Sequence, residues 1–189
     1  MIERTIIYFE NPGPKNTDAT LKAAKERAKL LNIRRAVVAT STGETPVRCA
    51  EVFKDTGIEL FAVTLAAGRR KQYVPPDKEK IAKFQNMGGK VITATHLFIG
   101  NIGMAIRNQF GGLFYTELIG HTLYRFSQGV KVAVEISVMA ADAGLFPTDE
   151  EIIAIAGTGR GADTALVLLP AYSNEFFDLN IREIIAMPR

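Results

Sequence analysis

The sequence has a single cysteine, no long apolar run and little excess charge, and each shortage excludes a class of protein. Cys49 has no second thiol to pair with, so an internal disulfide is excluded. No window of roughly 18 uninterrupted apolar residues, the length of a membrane-spanning helix, is present. The N-terminal residues carry Glu3 and Arg4 and lack the apolar segment of a signal peptide. We therefore expect a cytoplasmic protein without a membrane partner.

The charge balance is only mildly basic. The net charge is +3 and the isoelectric point is near 9.0, far from the polybasic surface of a nucleic-acid-binding protein. We expect no nucleic-acid partner. A small positive excess favours small anionic ligands without identifying one.

The apolar pattern predicts one α/β domain that covers residues 1–189. Short apolar runs alternate with segments of helical periodicity, which is typical of a three-layer α/β/α fold with a mostly parallel sheet. No helix separates the last two strands, so we expect them to form an antiparallel edge of the sheet. The predicted strands are 5–9, 36–40, 58–64, 90–95, 151–156, 165–170 and 181–187. The predicted helices are 17–31, 46–57, 77–87, 103–110, 116–127 and 130–143.

Residues 40–45 (TSTGET), the hydroxyl loop, follow the second predicted strand and lead into a helix with Pro46 in its first turn. Ligands of such sheets bind beyond the carboxyl ends of the parallel strands. Four hydroxyl side chains, a glycine and a helix N-terminus together suit a phosphate. Ser and Thr are also common helix caps, so a plain strand-to-helix turn remains an equal alternative.

Residues 157–164 (GTGRGADT), the glycine-rich loop, follow the fifth predicted strand. The three glycines allow a close approach of backbone, and Arg160 can pair with a phosphate. The pattern is neither a Walker loop nor a complete GxGxxG, because Ala162 occupies the last position. A flexible turn without a ligand is the competing interpretation.

Two longer stretches resemble pyruvate kinase. Residues 39–64 are similar to the second βα unit of its C-terminal domain, and residues 150–164 are similar to a strand and glycine-rich loop near the end of that domain. In that domain, a hydroxyl loop of this kind holds the phosphate of an allosteric sugar phosphate. The resemblance implies the same fold and a phosphate site at the hydroxyl loop.

A closer resemblance covers nearly the whole chain. Residues 9–28, 134–144, 157–171 and 176–189 resemble a family of small stand-alone proteins, mainly archaeal, that are like the pyruvate kinase α/β domain. The resemblance implies binding of flavin mononucleotide (FMN). A catalytic barrel needs about 250 residues, so we expect no pyruvate kinase activity from these 189 residues.

Two functions remain open at this stage. The first is an FMN-binding protein, with flavin-dependent redox chemistry as its activity. The alternative is a non-catalytic sensor or regulatory module for a phosphorylated metabolite. No residue stands out as a dedicated acid or base, so the sequence does not decide whether the protein is an enzyme, and no spacing indicates a metal site. The expected cofactor-binding residues are Asn11, Thr17, Thr40, Ser41, Thr42, Gly43, Glu44, Thr45, His96, Gly157, Thr158, Gly159, Arg160 and Gly161.

Several residues outside these loops also carry expectations. Glu135 shares a helical face with Lys131 and Asp142, which indicates a solvent-facing polar stripe. The alternative is a carboxylate turned into the ligand site or into an oligomer interface, where burial would raise its pKa. The cluster Arg69–Arg70–Lys71 is typical of a solvated loop. Ring-stacking candidates are Tyr73, Tyr115, Tyr172, Phe176 and Phe177. The apolar stretch 97–141 exceeds the needs of a small monomer, so we expect a homo-oligomer.

Overall fold

The computed structural model describes residues 1–72 and 74–189, without the side chains of residues 70–72. Tyr73 and the side chains of Arg70 and Lys71 therefore lie outside the described residues. The strands are β1 (Ile7–Phe9), β2 (Arg35–Thr40), β3 (Glu59–Thr64), β4 (Lys90–Thr93), β5 (Ile152–Ala156), β6 (Thr164–Leu169) and β7 (Asn180–Pro188). The α-helices are α1 (Thr17–Leu30), α2 (Glu44–Phe53), α3 (Lys78–Asn86), α4 (Ile102–Phe110), α5 (Tyr115–Leu123) and α6 (Gln128–Asp142). Short 3-10 helices are Pro14–Asn16, Ala67–Gln72 and Ser173–Asp178.

The seven strands form one mostly parallel sheet in the order β1-β7-β6-β5-β2-β3-β4. Among the described strands only β6 runs in the opposite direction, because it pairs antiparallel with both β5 and β7. The predicted fold class is confirmed, including the antiparallel pairing of the last two strands. The sequence did not indicate that β1 would add beyond β7 in a parallel pair.

Helices cover both faces of the sheet. Alternate residues of β2 show this, because Val38 packs with α1, α2 and α3 on one face while Val37 packs with α6 on the other. The central strand β5 is buried along its whole length, as expected for a strand covered on both faces. Cys49 is buried in the first of these two layers. None of the helices in the described ranges has the length and apolarity needed to cross a membrane.

Local signals predicted several helix ends correctly. Asp77 caps α3 through hydrogen bonds from the backbone N–H groups of Glu79 and Lys80. Asn32 has a φ of 56° just beyond α1, the left-handed conformation that ends many helices. The predicted end of α2 at Gly57 was wrong. That helix ends at Phe53, because Lys54 leaves the helical conformation with a ψ of 141° and Asp55 follows with a φ of 62°.

Gly129 allows the first turn of α6 to pack directly against β6, and this contact generates a testable prediction. A Cβ atom at Gly129 would lie 2.0 Å from Thr164 Oγ1 and 2.5 Å from Thr164 Cβ. We expect Gly129→Ala to lower the free energy of unfolding by about 1–3 kcal/mol, the usual cost of overpacking. Urea denaturation measures this change. Gly68→Ala is the matched control, because nothing lies within 4 Å of the added methyl group. Equal stability of the two variants would contradict the close packing.

Candidate ligand-binding site

A cavity of about 610 Å³ lies at the carboxyl ends of the parallel strands. The loops after β2, β3, β4 and β5 contribute to it, and so do the first turns of α2 and α6. Ten of the fourteen expected residues line it: Thr40, Ser41, Thr42, Glu44, Thr45, His96, Gly157, Gly159, Arg160 and Gly161. The two loops meet because β2 and β5 are neighbours in the sheet and run parallel.

The hydroxyl loop presents the N-terminus of α2 to this cavity. Gly43 precedes the helix with a φ of 100°, which favours glycine, and its N–H donates to Thr40 Oγ1 at 2.8 Å. The next N–H group, that of Glu44, makes a long hydrogen bond of 3.4 Å to Thr42 Oγ1. Pro46 lies in the first turn and has no N–H to satisfy. An anion at this position would meet the backbone N–H of Thr45 and the positive end of the helix dipole.

Three cationic side chains line the cavity near the hydroxyl loop, and two of them are already paired. Arg48 forms an ion pair with Asp18, and Lys80 Nζ lies 3.6 Å from Glu44 Oε2. Glu44 is thus partly neutralised, which lessens its repulsion of an anion. Arg160 is exposed and has no ion-pair partner among the described residues. It is therefore the guanidinium that an anionic ligand can recruit.

A buried carboxylate holds the glycine-rich loop against the loop after β1. Asp163 Oδ2 accepts hydrogen bonds from Gly13 N at 2.9 Å and Thr158 N at 3.1 Å, while Oδ1 accepts from the Thr164 hydroxyl. Thr17 adds a second link, because its hydroxyl donates to Pro14 O and accepts from Ala162 N at 3.0 Å. These bonds fix the shape of one wall of the cavity.

The other four expected residues lie beside the cavity and build its loops. Gly43 shapes the hydroxyl loop, and Thr158 donates its N–H to Asp163. The hydroxyl of Thr17 is occupied by the bonds just described, and Asn11 O accepts the side-chain amide of Asn16 at 2.8 Å. Their observed contacts are with the protein itself.

The inner wall of the cavity holds a buried polar triad of Lys131, Glu135 and His96. Lys131 Nζ lies 2.5 Å from Glu135 Oε2, and His96 Nδ1 lies 3.3 Å from the same oxygen. Glu135 Oε1 accepts the backbone N–H of Phe98 at 2.9 Å. An ionised carboxylate can only accept, so His96 Nδ1 is the donor and Nε2 carries the free lone pair when the ring is neutral.

The interpretation of Glu135 as part of a solvent-facing stripe was wrong. Lys131 and Glu135 are only 4% and 1% exposed, whereas Asp142 on the same face is exposed. The predicted direction of the pKa shift was also wrong. Burial acts to raise the pKa of Glu135, but the hydrogen bond from His96 and the charge of Lys131 outweigh it and lower the pKa to about 2.

The structure also changes the interpretation of other candidate residues. Arg69 is half-buried and donates to Ile99 O at 3.2 Å, so the solvated-loop interpretation fails for this residue. The described stacking candidates Tyr115, Tyr172, Phe176 and Phe177 do not line the cavity. Tyr124 does, together with Gln128 and Lys131, and the sequence analysis did not propose these three as site residues. A polar i,i+4 pair inside the otherwise apolar α6 was the available signal for Lys131.

The lowered pKa of Glu135 predicts a pH-dependent loss of stability. Its folded-state value of about 2 lies below the ordinary value of 4.5, so the stabilisation is complete above pH 4.5 and is lost as the pH falls toward 2. We expect Glu135→Gln to cost about 3 kcal/mol at neutral pH, because Lys131 loses its buried partner. The difference from the wild type should shrink below pH 4.5. Urea denaturation between pH 2.5 and pH 7 measures it, with the exposed Glu26→Gln as control. A constant difference would contradict the lowered pKa.

Comparison with known proteins identifies the family. The family model described as "Pyruvate kinase, alpha/beta domain" matches residues 18–168. Similar solved structures include a pyruvate kinase from Cryptosporidium parvum (15% identity, 82% of this chain and 23% of that chain, TM-score 0.41). Another is the enzyme of that organism in complex with ADP (17% identity, 80% of this chain and 22% of that chain, TM-score 0.37). A third is an NH3-dependent NAD synthetase from Campylobacter jejuni (12% identity, 73% of this chain and 54% of that chain, TM-score 0.35).

The chain spans less than a quarter of the length of the two pyruvate kinases. The family match covers most of the described fold, from the first turn of α1 to β6. The protein therefore belongs to the family of the pyruvate kinase alpha/beta domain.

Proposed function

We propose that this protein binds a phosphate-bearing small molecule, with the phosphate at the hydroxyl loop. One observation carries the proposal: the N-terminus of α2 and Arg160, which has no ion-pair partner among the described residues, line the same cavity. The helix end supplies N–H donors and positive potential, and the guanidinium supplies a bidentate partner. Thr40, Ser41 and Thr45 add hydroxyl groups on the same side.

FMN is the ligand that we propose first. A cavity of about 610 Å³ is within the usual size range for a ligand of this kind. The hydroxyl loop and Arg160 fit its phosphate, and the apolar side chains of Val63, Ile99 and Ile136 offer a surface for an aromatic ring system. The resemblance to stand-alone FMN-binding proteins supports the same choice. Bound flavin would supply hydride-transfer chemistry, while the protein would bind and orient it.

A non-catalytic sensor of a phosphorylated metabolite is the second candidate. The similarity of the hydroxyl loop to the phosphate-holding loop of pyruvate kinase favours it. The two candidates share the phosphate site and differ in the rest of the ligand. The absorbance spectrum of the freshly purified protein, followed by mass spectrometry of what heat releases, separates them. A flavin spectrum with near-stoichiometric FMN supports the first candidate, whereas a colourless protein that does not take up added FMN supports the second.

Arg160→Ala tests the phosphate site itself. We expect FMN to bind about tenfold more weakly, because a hydrogen-bonded charge pair to the phosphate is lost. The loss should diminish as the salt concentration rises, since salt screens an exposed pair. Flavin fluorescence quenching at several salt concentrations measures it.

The matched control is Arg34→Ala, which removes an exposed arginine just before β2, at the opposite edge of the sheet. Riboflavin, which lacks the phosphate, is the ligand control and should bind equally to both variants. If Arg160→Ala and Arg34→Ala bind FMN with the same affinity at every salt concentration, Arg160 does not contact the phosphate.

A further inference from the structure

The pair of Lys131 and Glu135 is costly to bury, and its position is not explained by the phosphate site. Both side chains are at least nine-tenths buried on a helix whose neighbouring residues belong to the apolar core. Removing two charges from water costs several kcal/mol per ion, and apolar residues of similar volume would often stabilise the fold as well or better. A buried charge pair in a cavity wall is therefore a candidate for ligand recognition.

Charge divides the cavity into two parts. Near the hydroxyl loop, Arg160 has an uncompensated positive charge within the described chain. At the inner wall the charge of Lys131 is cancelled by Glu135 at 2.5 Å. The phosphate is attracted to the first part, and the inner wall suits a polar group without net charge.

Lys131 retains donor capacity toward such a group. Its ammonium has three N–H groups, and among the described residues its hydrogen bond goes to Glu135. The ammonium also lies 5.8 Å from the ring centroid of Tyr124 and 5.6 Å from that of Phe98. An acceptor atom, such as a ring carbonyl or ring nitrogen, could use the remaining hydrogens of the ammonium.

The surface around Lys131 includes apolar and aromatic side chains beside the polar Gln128 and His96. Tyr124, Val132 and Ile136 line the cavity beside it, and Ile99 faces it from the loop after β4. A planar ring can lie against the apolar and aromatic side chains while its edge meets Lys131.

We propose that the inner wall around Lys131 and Tyr124 is a subsite for a planar heteroaromatic ring with a hydrogen-bond acceptor on its edge. This inference rests on the proposed phosphate site and adds a ring to the ligand, which points to the nucleotide-like class that includes FMN. Glu135 and His96 position the ammonium and hold the loop after β4 through Phe98 N.

A double variant separates recognition from a purely structural role. Lys131→Met with Glu135→Gln removes both charges, retains similar volumes and leaves an acceptor for Phe98 N. Such neutral replacement of a buried ion pair is often tolerated. Isothermal titration with FMN, AMP, ribose 5-phosphate and inorganic phosphate then compares this variant with the wild type.

The wild type should bind at least one of the ring-bearing probes, FMN or AMP, more tightly than ribose 5-phosphate. In the double variant that probe should lose about tenfold or more in affinity, because a charge-assisted hydrogen bond is lost. Ribose 5-phosphate and inorganic phosphate should bind as they do to the wild type. An unchanged affinity for FMN and AMP would overturn the ring subsite and leave the phosphate site standing.

Two further outcomes are also decisive. If the wild type binds none of the four probes, the proposed function fails and the subsite fails with it. Should the double variant not fold, Tyr124→Leu replaces it at the half-buried edge of the wall. Tyr124→Leu should lower the affinity for the ring-bearing probe and leave the affinity for ribose 5-phosphate unchanged. If the variant binds every probe with the affinity of the wild type, the proposal is overturned.

Discussion

The wall of the cavity that includes the glycine-rich loop depends on the buried carboxylate of Asp163. The sheet alone brings the loops after β1 and β5 to one edge, but β6 and β7 separate the two strands. Asp163 closes that gap by accepting N–H groups from Gly13 and Thr158. Gly161 allows the same contact, because a Cβ atom there would lie 2.4 Å from Thr17 Oγ1 and 2.7 Å from Pro14 Cα. Gly161 therefore serves the close packing of two loops at least as much as an approach to a ligand.

Most cationic side chains of the cavity are paired with protein groups. Most cations near the ligand space are balanced by carboxylates: Arg48 by Asp18, Lys80 by Glu44 and Lys131 by Glu135. Arg69, which also lines the cavity, donates to the Ile99 carbonyl. Arg160 has no ion-pair partner within the described chain, and it lies on the loop that Asp163 fixes. Such a guanidinium beside a helix N-terminus is suited to one phosphate group, whereas a nucleic acid would need a broad cationic surface.

The sequence predicted the fold and the position of the hydroxyl loop between β2 and α2, because both depend on local signals. Strand and helix periodicity, the cap at Asp77 and the left-handed Asn32 are readable from short windows, and parallel strands place their following loops at one edge. The inner wall could not be predicted in the same way. A helical wheel puts Lys131 and Glu135 on one face but does not tell whether that face meets water or a cavity. Likewise, nothing local separates Tyr124, which lines the cavity, from the exposed Tyr115.

Two polar features of the cavity wall are costly to the fold. His96 Nε2 is buried without a partner among the described residues, and Lys131 and Glu135 are buried as an ion pair. Each costs stability that a different residue could restore, and proteins usually retain such costs at sites where function requires them. Both features border the same cavity, and the ion pair is hydrogen-bonded but expensive to bury. A ligand that brings an acceptor edge to Lys131 would use the N–H groups of the ammonium that do not bond to Glu135.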